Sequence, residues 1–444
     1  MFKFLDDKCQ EKPERKSTKF IKLYQTLPNL IGVLFIMFFR TILTAGAIGL
    51  LSTASYAGCG IDSGSVRIGG NDFPAYQAVT QAATGCSGDG VSVTVDLNKD
   101  HKDRQVAALT ANPAEFTSSI ANNSALVALM NDGLVQPLNN LIAKHGSGLQ
   151  DMQIVSIDGE VMAVAFMANA QHLFYRSDIL EAAGVAPPKT YEEVLAAAKA
   201  IKSKGLMEYP IAGTYGGWNL GLEFINMYLG HGGEFFERGS AKPSLNNAKG
   251  VATLNMMKSL SAYMNPDFLT YDSNAVQADW EAGKVALTNL WGSRAGAVTD
   301  GEGSTAEIES NTKFASAPTV AGGTIPSTTL WWDGITVATN ISDEDAEATF
   351  IAMMEGISPA MAAANPNKAN WLISGAKPRA TGVGVVESAK GGALPYPMLP
   401  YMGSMHNAIG SEIVDFLQGN ETAEKALADV EAAYIAAATE KGFL

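Results

Sequence analysis

The sequence predicts an α/β protein of two or three lobes, doubly wound where the chain opens. Short β-prone runs alternate with longer helix-prone ones, and a strand–helix–strand unit opens the globular part. The chain has 444 residues, more than a single hydrophobic core usually serves.

The elements read in order as follows. Ser65–Gly69 is a short strand leading into Asn71-Asp72-Phe73-Pro74, Ala75–Ala83 has helical composition, and Val91–Leu97 alternates as a second strand. That order and spacing imply a parallel sheet, because parallel neighbours need a crossover. After the break at Pro187-Pro188, Thr190 and Glu193 form a capping box, with Val194, Ala197, Ala198 and Ile201 on one helical face and Gly205 at the end. Val285–Leu290 and Ile335–Ala338 read as strands. Ser342 with Asp345 starts a helix carrying Phe350, Met354 and Ile357 on one face, and Leu427, Val430, Tyr434 and Ala437 mark a last apolar stripe. Gly301–Thr305 and Ala321–Thr328 are the most loop-like stretches. No internal repeat and no long tether divides the chain.

Residues 1–57 read as a leader with a signal peptide. An apolar span, 29–51, is interrupted by Arg40 and followed by Ser55 and Ala57, small residues at the positions signal peptidase reads; cleavage is expected after Ala57. The stretch from Met37 is a complete short signal, so 1–36 are read as an overlong gene model. The rival is a retained membrane anchor, which Arg40 at mid-span disfavours. Cleavage removes eight basic and four acidic residues, so 31 and 45 become 23 and 41, a balance of −18. Cys59 and Cys86 remain, and an even pair in an exported chain reads as one disulfide. Lipidation of Cys59 is the rival, against which the preceding Tyr56-Ala57-Gly58 is a poor lipoprotein box.

Several function classes are disfavoured. The acidic balance argues against a nucleic-acid surface. There is no Gly-x-Ser-x-Gly, no phosphate loop, no His-Glu-x-x-His and no Cys-x-x-Cys, so no catalytic site is assembled and no cofactor is implied. His101, His145, His172, His231 and His406 have no ligand-like spacing, and Asp343-Glu344-Asp345 at a helix start complements the dipole without the rest of a calcium loop, so no metal site is assigned.

The segment Ala165–Ala197 contains Tyr175, Arg176, Asp178, Ala183-Gly184, Pro187-Pro188-Lys189-Thr190 and Tyr191. It resembles the corresponding stretch of family 1 extracellular solute-binding proteins, the maltose-binding-protein-like components of ABC importers. Trp280-Glu281-Ala282-Gly283-Lys284-Val285-Ala286-Leu287 is similar to a second family run, with Trp291-Gly292 in the loop beyond. Gln418-Gly419-Asn420 through Ala426-Leu427 resembles the closing helix. The likeness spans the whole mature chain in order.

That resemblance implies the two-lobed periplasmic-binding-protein fold of type II, with a ligand cleft between the lobes and three chain crossings, near Met167–Ala170, Ala317–Thr319 and Ala376–Arg379. The expected lobes are 58–167 plus 318–376, and 168–317 plus 377–444. It implies a periplasmic monomer that captures a small polar solute, foremost a sugar or oligosaccharide, and delivers it to membrane permease subunits. A polyol, an organic acid or a phosphorylated polyol is the alternative ligand. An exported polysaccharide-acting enzyme is the alternative from another class.

A sugar's C–H face stacks on indole while its hydroxyls need fixed polar partners. Trp331 and Trp332, neighbours before a β-prone run, must face opposite ways, so at least one is expected in the cleft, with Asp333 beside them. Trp291 and Arg294 lie where the family's loop reaches ligand. Tyr215 and Trp218 sit in a glycine-rich stretch where the family places stacking aromatics. Asn71 and Asp72 follow the first strand, at whose carboxyl end open α/β sheets bind ligands. Asn169 lies at the first crossing. Trp280 is expected in the core, and Trp371 receives no role.

Overall fold

β-branched residues at alternate positions, Val66 and Ile68 in Gly64–Gly70 (β1) and Val91, Val93 and Val95 in Val91–Leu97 (β2), make strands that pair in parallel along their whole length. The helix Pro74–Thr84 carries the crossover, opened by a proline at a position whose N–H would have no helical partner. The computed structural model describes residues 58–157, 159–377 and 379–444. The leader, with its cleavage site and its anchor alternative, lies outside the described residues. Among them no helix is long and apolar enough to cross a membrane.

Ser118–Asn122 (β3) flanks β1 on its other side, also in parallel. Ile154–Ile157 (β4) and Glu160–Asn169 (β5) form a hairpin. Ala170 alone separates β5 from Gln171–Arg176 (β6), which belongs to a second sheet. Ile211–Ala212 (β7), Leu287–Trp291 (β8) and Thr312–Ala315 (β9) complete that sheet in the order β7-β8-β6-β9. The chain then returns through Thr329–Ile335 (β10), Asn370–Trp371 (β11) and Leu394–Pro395 (β12). The first sheet runs β11-β5-β10-β3-β1-β2, with β4 on β5 and β12 on β10.

Both sheets are therefore mixed. The parallel pairing expected from the opening unit holds around β1, but β10 returns antiparallel between β3 and β5, and β6 is antiparallel to both its neighbours. The result is a two-lobed α/β protein. In the first lobe Tyr76, Phe166 and Phe350 pack on one side of the sheet and Leu109, Phe116 and Leu126 form a separate cluster. In the second, Leu222, Phe224, Leu254 and Tyr434 lie in one cluster and Phe174 and Trp280 in another. Trp280 is fully buried and its indole N–H donates to Thr312 Oγ1 at 3.1 Å.

Local signals act largely as their chemistry dictates. Thr190 caps Tyr191–Ser203 by accepting from Glu193 N at 3.1 Å, but Glu193 reaches back to Lys189 N at 2.6 Å, one residue beyond the reciprocal partner of a capping box. Arg176 Nε donates to Asp178 Oδ1 at 2.9 Å, so the Arg-x-Asp of the family stretch is an internal ion pair. Cys59 and Cys86 form a disulfide, with Cα atoms 5.0 Å apart.

The connections between the sheets lie close together. Asn169 on β5 pairs with Trp331 on β10, and β11 pairs with β5 at Ala168 and Met167. The stretch before β10 stays with the second lobe: Tyr191 N donates to Thr319 O at 2.9 Å. Trp331 packs in the second lobe's main cluster, whereas Trp332 packs against a first-lobe cluster. Two adjacent tryptophans of β10 thus send their side chains into different clusters. Farther on, Arg379 bridges the lobes, donating to Asn370 Oδ1 at 3.2 Å on one side and to the Gly292 carbonyl on the other.

Candidate functional site

Trp331 is the centre of an aromatic cluster drawn from four segments. Trp218, at the start of the helix Trp218–Gly230, meets it edge-on at 5.9 Å between centroids; Trp291, at the end of β8, does so at 5.6 Å. Tyr396, just after β12, lies 4.5 Å away. Edge-to-face geometry at these distances is attractive and holds the rings rigidly. Trp331 is only 5% exposed, while Trp218 and Trp291 are half-buried.

His406 locks this cluster. Its ring stacks on Trp218 at 4.2 Å, its Nε2 lies 2.8 Å from the Trp218 carbonyl and its Nδ1 lies 2.9 Å from Tyr396 Oη. A carbonyl can only accept, so Nε2 carries the proton and Tyr396 donates to Nδ1. Burial pushes the imidazole down to about 3, which keeps it neutral.

A second device stands behind Trp331. Its indole N–H donates to Thr329 Oγ1, Thr329 to Asn226 Oδ1, and Asn226 Nδ2 to Gln171 Oε1, each at 2.7 Å; Gln171 Nε2 donates to Glu223 Oε1 at 2.9 Å. Thr214 Oγ1 donates to the same carboxylate. Every donor in the chain points toward Glu223. Burial raises that carboxyl to about 7, against the hydrogen bonds from Thr214 and Gln171.

The first lobe contributes polar groups. Asn71 and Asp72 follow directly on β1; Asp72 is exposed and accepts from Gln77 Nε2 at 2.7 Å. Asp333, half-buried on β10, pairs in register with Asn122 at the end of β3. Burial raises its carboxyl to about 7, opposed by the Lys102 charge and a hydrogen bond from Asn122. Arg294, from the loop after β8, reaches toward this side. Its Nη1 donates to the neutral Gln277 Oε1 at 3.1 Å, and no carboxylate forms an ion pair with it among the described residues. Burial lowers its pKa, with Asp272 and Asp72 as the foremost opposing charges.

Three expected site residues need correction. Asn169 is buried, and its amide is occupied by the chain: Oδ1 accepts from Ser293 N at 3.2 Å and Ala170 N at 3.1 Å, and Nδ2 donates to Ser293 Oγ at 3.2 Å. It anchors the loop that carries Arg294. Tyr215 is 2% exposed and packs edge-on against Phe268 in the second lobe's core. Trp332 turns away from the aromatic cluster and packs close to Gly334, where a Cβ would come within 3.1 Å of its ring. Trp371 donates its N–H to Asn365 O at 2.8 Å and packs on the first lobe's core.

Sequence reasoning missed Lys102, Asn122, Tyr396 and His406. Lys102 and Asn122 follow the same strand-end rule as Asn71, at β2 and β3. Nothing local marks Tyr396 or His406, which long-range packing brings in. A cavity of about 350 Å³ lies elsewhere in the second lobe, between Met207, Ile211, Met264 and Phe268, and no site residue lines it.

Two lobes joined by adjacent connections carry aromatic and polar residues of both beside the joint, an arrangement suited to binding rather than to a single-domain scaffold. The family profile described as bacterial extracellular solute-binding protein matches residues 96–358, and the chain belongs to that family. It is a solute-binding protein, not an enzyme. The fold is shared with maltose-bound MalE3 of T. maritima (TM-score 0.74, 16% identity, covering 84% of this chain and 99% of that one). It is shared also with an ABC transporter solute-binding protein from Agrobacterium radiobacter K84 in complex with ribitol (TM-score 0.73, 20% identity, 84% and 98%). A probable ABC transporter-binding protein of Deinococcus radiodurans is 28% identical over 146 residues, which cover 31% of this chain and only 34% of that protein.

Proposed function

We propose that this chain is the extracytoplasmic receptor of an ABC importer and that it takes up a small sugar, oligosaccharide or polyol by hinged closure of its lobes. The observation that carries the ligand class is the convergence of Trp218 and Trp291 on Trp331, each ring centre within 6 Å of that of Trp331, together with Asp333, Asn122 and an Arg294 bonded only to a neutral amide. Flat apolar rings with a few directional polar groups suit a saccharide, whose ring has an apolar face and a hydroxylated rim. Solved proteins of this fold include ones bound to maltose, ribitol and D-mannitol, which agrees with that choice.

The ligand contacts proposed are Trp218, Trp291, Trp331, Arg294, Asp333, Asn71 and Asp72. We assign the fold to type II; the support is β1 between β2 and β3, with β10 returning beside β3. The lobes divide near Ala170, between Trp331 and Trp332, and near Arg379, later at the second crossing than the sequence led us to expect. The protein is exported by cleavage after Ala57, works as a periplasmic monomer and hands its cargo to permease subunits.

Calorimetric and thermal-shift titration with mono- and oligosaccharides and polyols tests this. A true ligand raises the melting temperature by mass action and changes tryptophan emission. Trp218→Ala should weaken it on the order of a hundredfold, about 3 kcal/mol. A broad panel without any shift would end the sugar-or-polyol reading.

A further inference from the structure

Lys102 belongs to the helix His101–Thr110 of the first lobe, yet its Nζ lies 3.0 Å from the ring centre of Trp218 in the second. The His406 imidazole stacks on Trp218 at 4.2 Å and 20°. An ammonium and an imidazole cannot share one indole face at these distances, so they cover opposite faces. The face turned to the cleft, where a sugar would stack, is the one the lysine holds.

We propose that Lys102 is an internal competitor for the ligand site: it latches the first lobe onto Trp218, and an uncharged saccharide or polyol must displace it to stack there. The inference rests on the reading that Trp218 lines the ligand cleft.

The surroundings make displacement possible. Lys102 forms no ion pair among the described residues, but Asp333 is near enough for each charge to favour the other. The lysine is exposed to cleft water, although protein on most sides denies it full solvation, which lowers its amine to about 7. Water at the exposed amine and the nearby Asp333 carboxylate give the ammonium another place to stand once the indole is taken. Asp333 is the acceptor it swings toward when ligand enters. The displaced ammonium then stands beside the ligand and disfavours a second positive charge, which selects neutral solutes over cationic ones.

Isothermal titration of the whole protein with maltose, ribitol and D-mannitol, wild type against Lys102→Met and Lys102→Arg, tests the competition. Without the ammonium, whichever probe the wild type binds should bind about tenfold more tightly, the scale of a partly desolvated cation–indole contact. Arginine keeps a cation on the ring and should leave affinity within about threefold of wild type. Weaker or unchanged binding in Lys102→Met overturns the proposal, because Lys102 would then help hold the ligand or play no part. A second arm needs no solute: Lys102→Met should shift tryptophan emission, and the shift should vanish in a Trp218→Phe background. Identical spectra overturn the latch. If the wild type binds none of the three probes, the titration passes to the broad panel that tests the sugar-or-polyol reading, and the emission arm alone decides on the latch.

Discussion

In the proposed site, the first lobe meets the cleft with Asp72, Lys102, Asn122 and Asp333, on strand β10, at strand ends or on the helix that follows one. The second meets it with Trp218, Trp291 and Trp331, braced by Tyr396 and His406. The contrast follows from what each kind of contact needs. A hydrogen bond to a hydroxyl needs direction, and the carboxyl end of a strand fixes direction through backbone geometry alone. Stacking needs a flat surface that does not yield, and three indoles can be kept rigid only by a shell of neighbours. The second lobe accordingly puts its buried polar groups behind the rings, in the run of donors from Trp331 to Glu223.

The sharpest way to break this division is to remove its central ring. Trp331→Ala should cost about 3–5 kcal/mol of folding stability as well as ligand affinity, because the side chain is almost fully buried among other aromatics. Trp280→Ala should cost a similar amount and leave affinity intact in the molecules that fold. Denaturant titration and calorimetry on both variants separate the cases. If Trp331→Ala were as stable as wild type, the ring would be a cleft wall and not the keystone of the cluster.

This corrects a sequence-level expectation in an instructive way. Alternation along a strand correctly implied that Trp331 and Trp332 face apart, but it could not say which cluster each ring would join, because those clusters are assembled by residues distant in sequence. The strands β1 and β2, the Thr190 and Ser342 caps and the Cys59–Cys86 pair were legible because each depends on neighbours in sequence or on a count of two. Tyr215 was misjudged because a glycine-rich stretch looks like an exposed loop, while its ring packs on Phe268, 53 residues away. Lys102 was legible in principle: the strand-end rule that selected Asp72 after β1 applies equally after β2.

Glu223 sharpens the comparison from inside the second lobe. Its folded-state carboxyl is raised from 4.5 to about 7, so between those values the native state binds more protons than the unfolded chain. Stability from this group is therefore present below about pH 4.5 and is lost as pH rises toward 7. Glu223→Gln keeps an acceptor for Thr214 and Gln171 and has no charge to bury. Relative to wild type it should gain up to about 3 kcal/mol across that interval, measured by denaturant titration at several pH values. Affinity at pH 7 should change little if Glu223 only supports the scaffold behind Trp331. A large loss of affinity with an unchanged pH–stability profile would place Glu223 among the groups that touch ligand.

Asp333 should behave in the reverse manner, with the smallest of these effects. Its carboxyl also titrates near 7, but it stands on the polar wall, facing Lys102 from the neighbouring helix, Tyr76 from the helix after β1 and Asn122 from β3. A carboxylate that accepts from ligand hydroxyls must be ionised to do so fully, so ligand and proton compete for it. Apparent affinity should rise with pH through about 6 to 8 and level off above, by up to about tenfold overall, or 1.4 kcal/mol. Lys102 titrates in the same range, so the profile is best measured in Lys102→Met, where the lysine no longer overlaps with Asp333. In that background Asp333→Asn should flatten the profile near its acidic limit, since an amide can accept but carries no charge. A profile that stays sloped after both changes would mean that another titrating group governs binding and that the first lobe's contribution lies elsewhere on its wall.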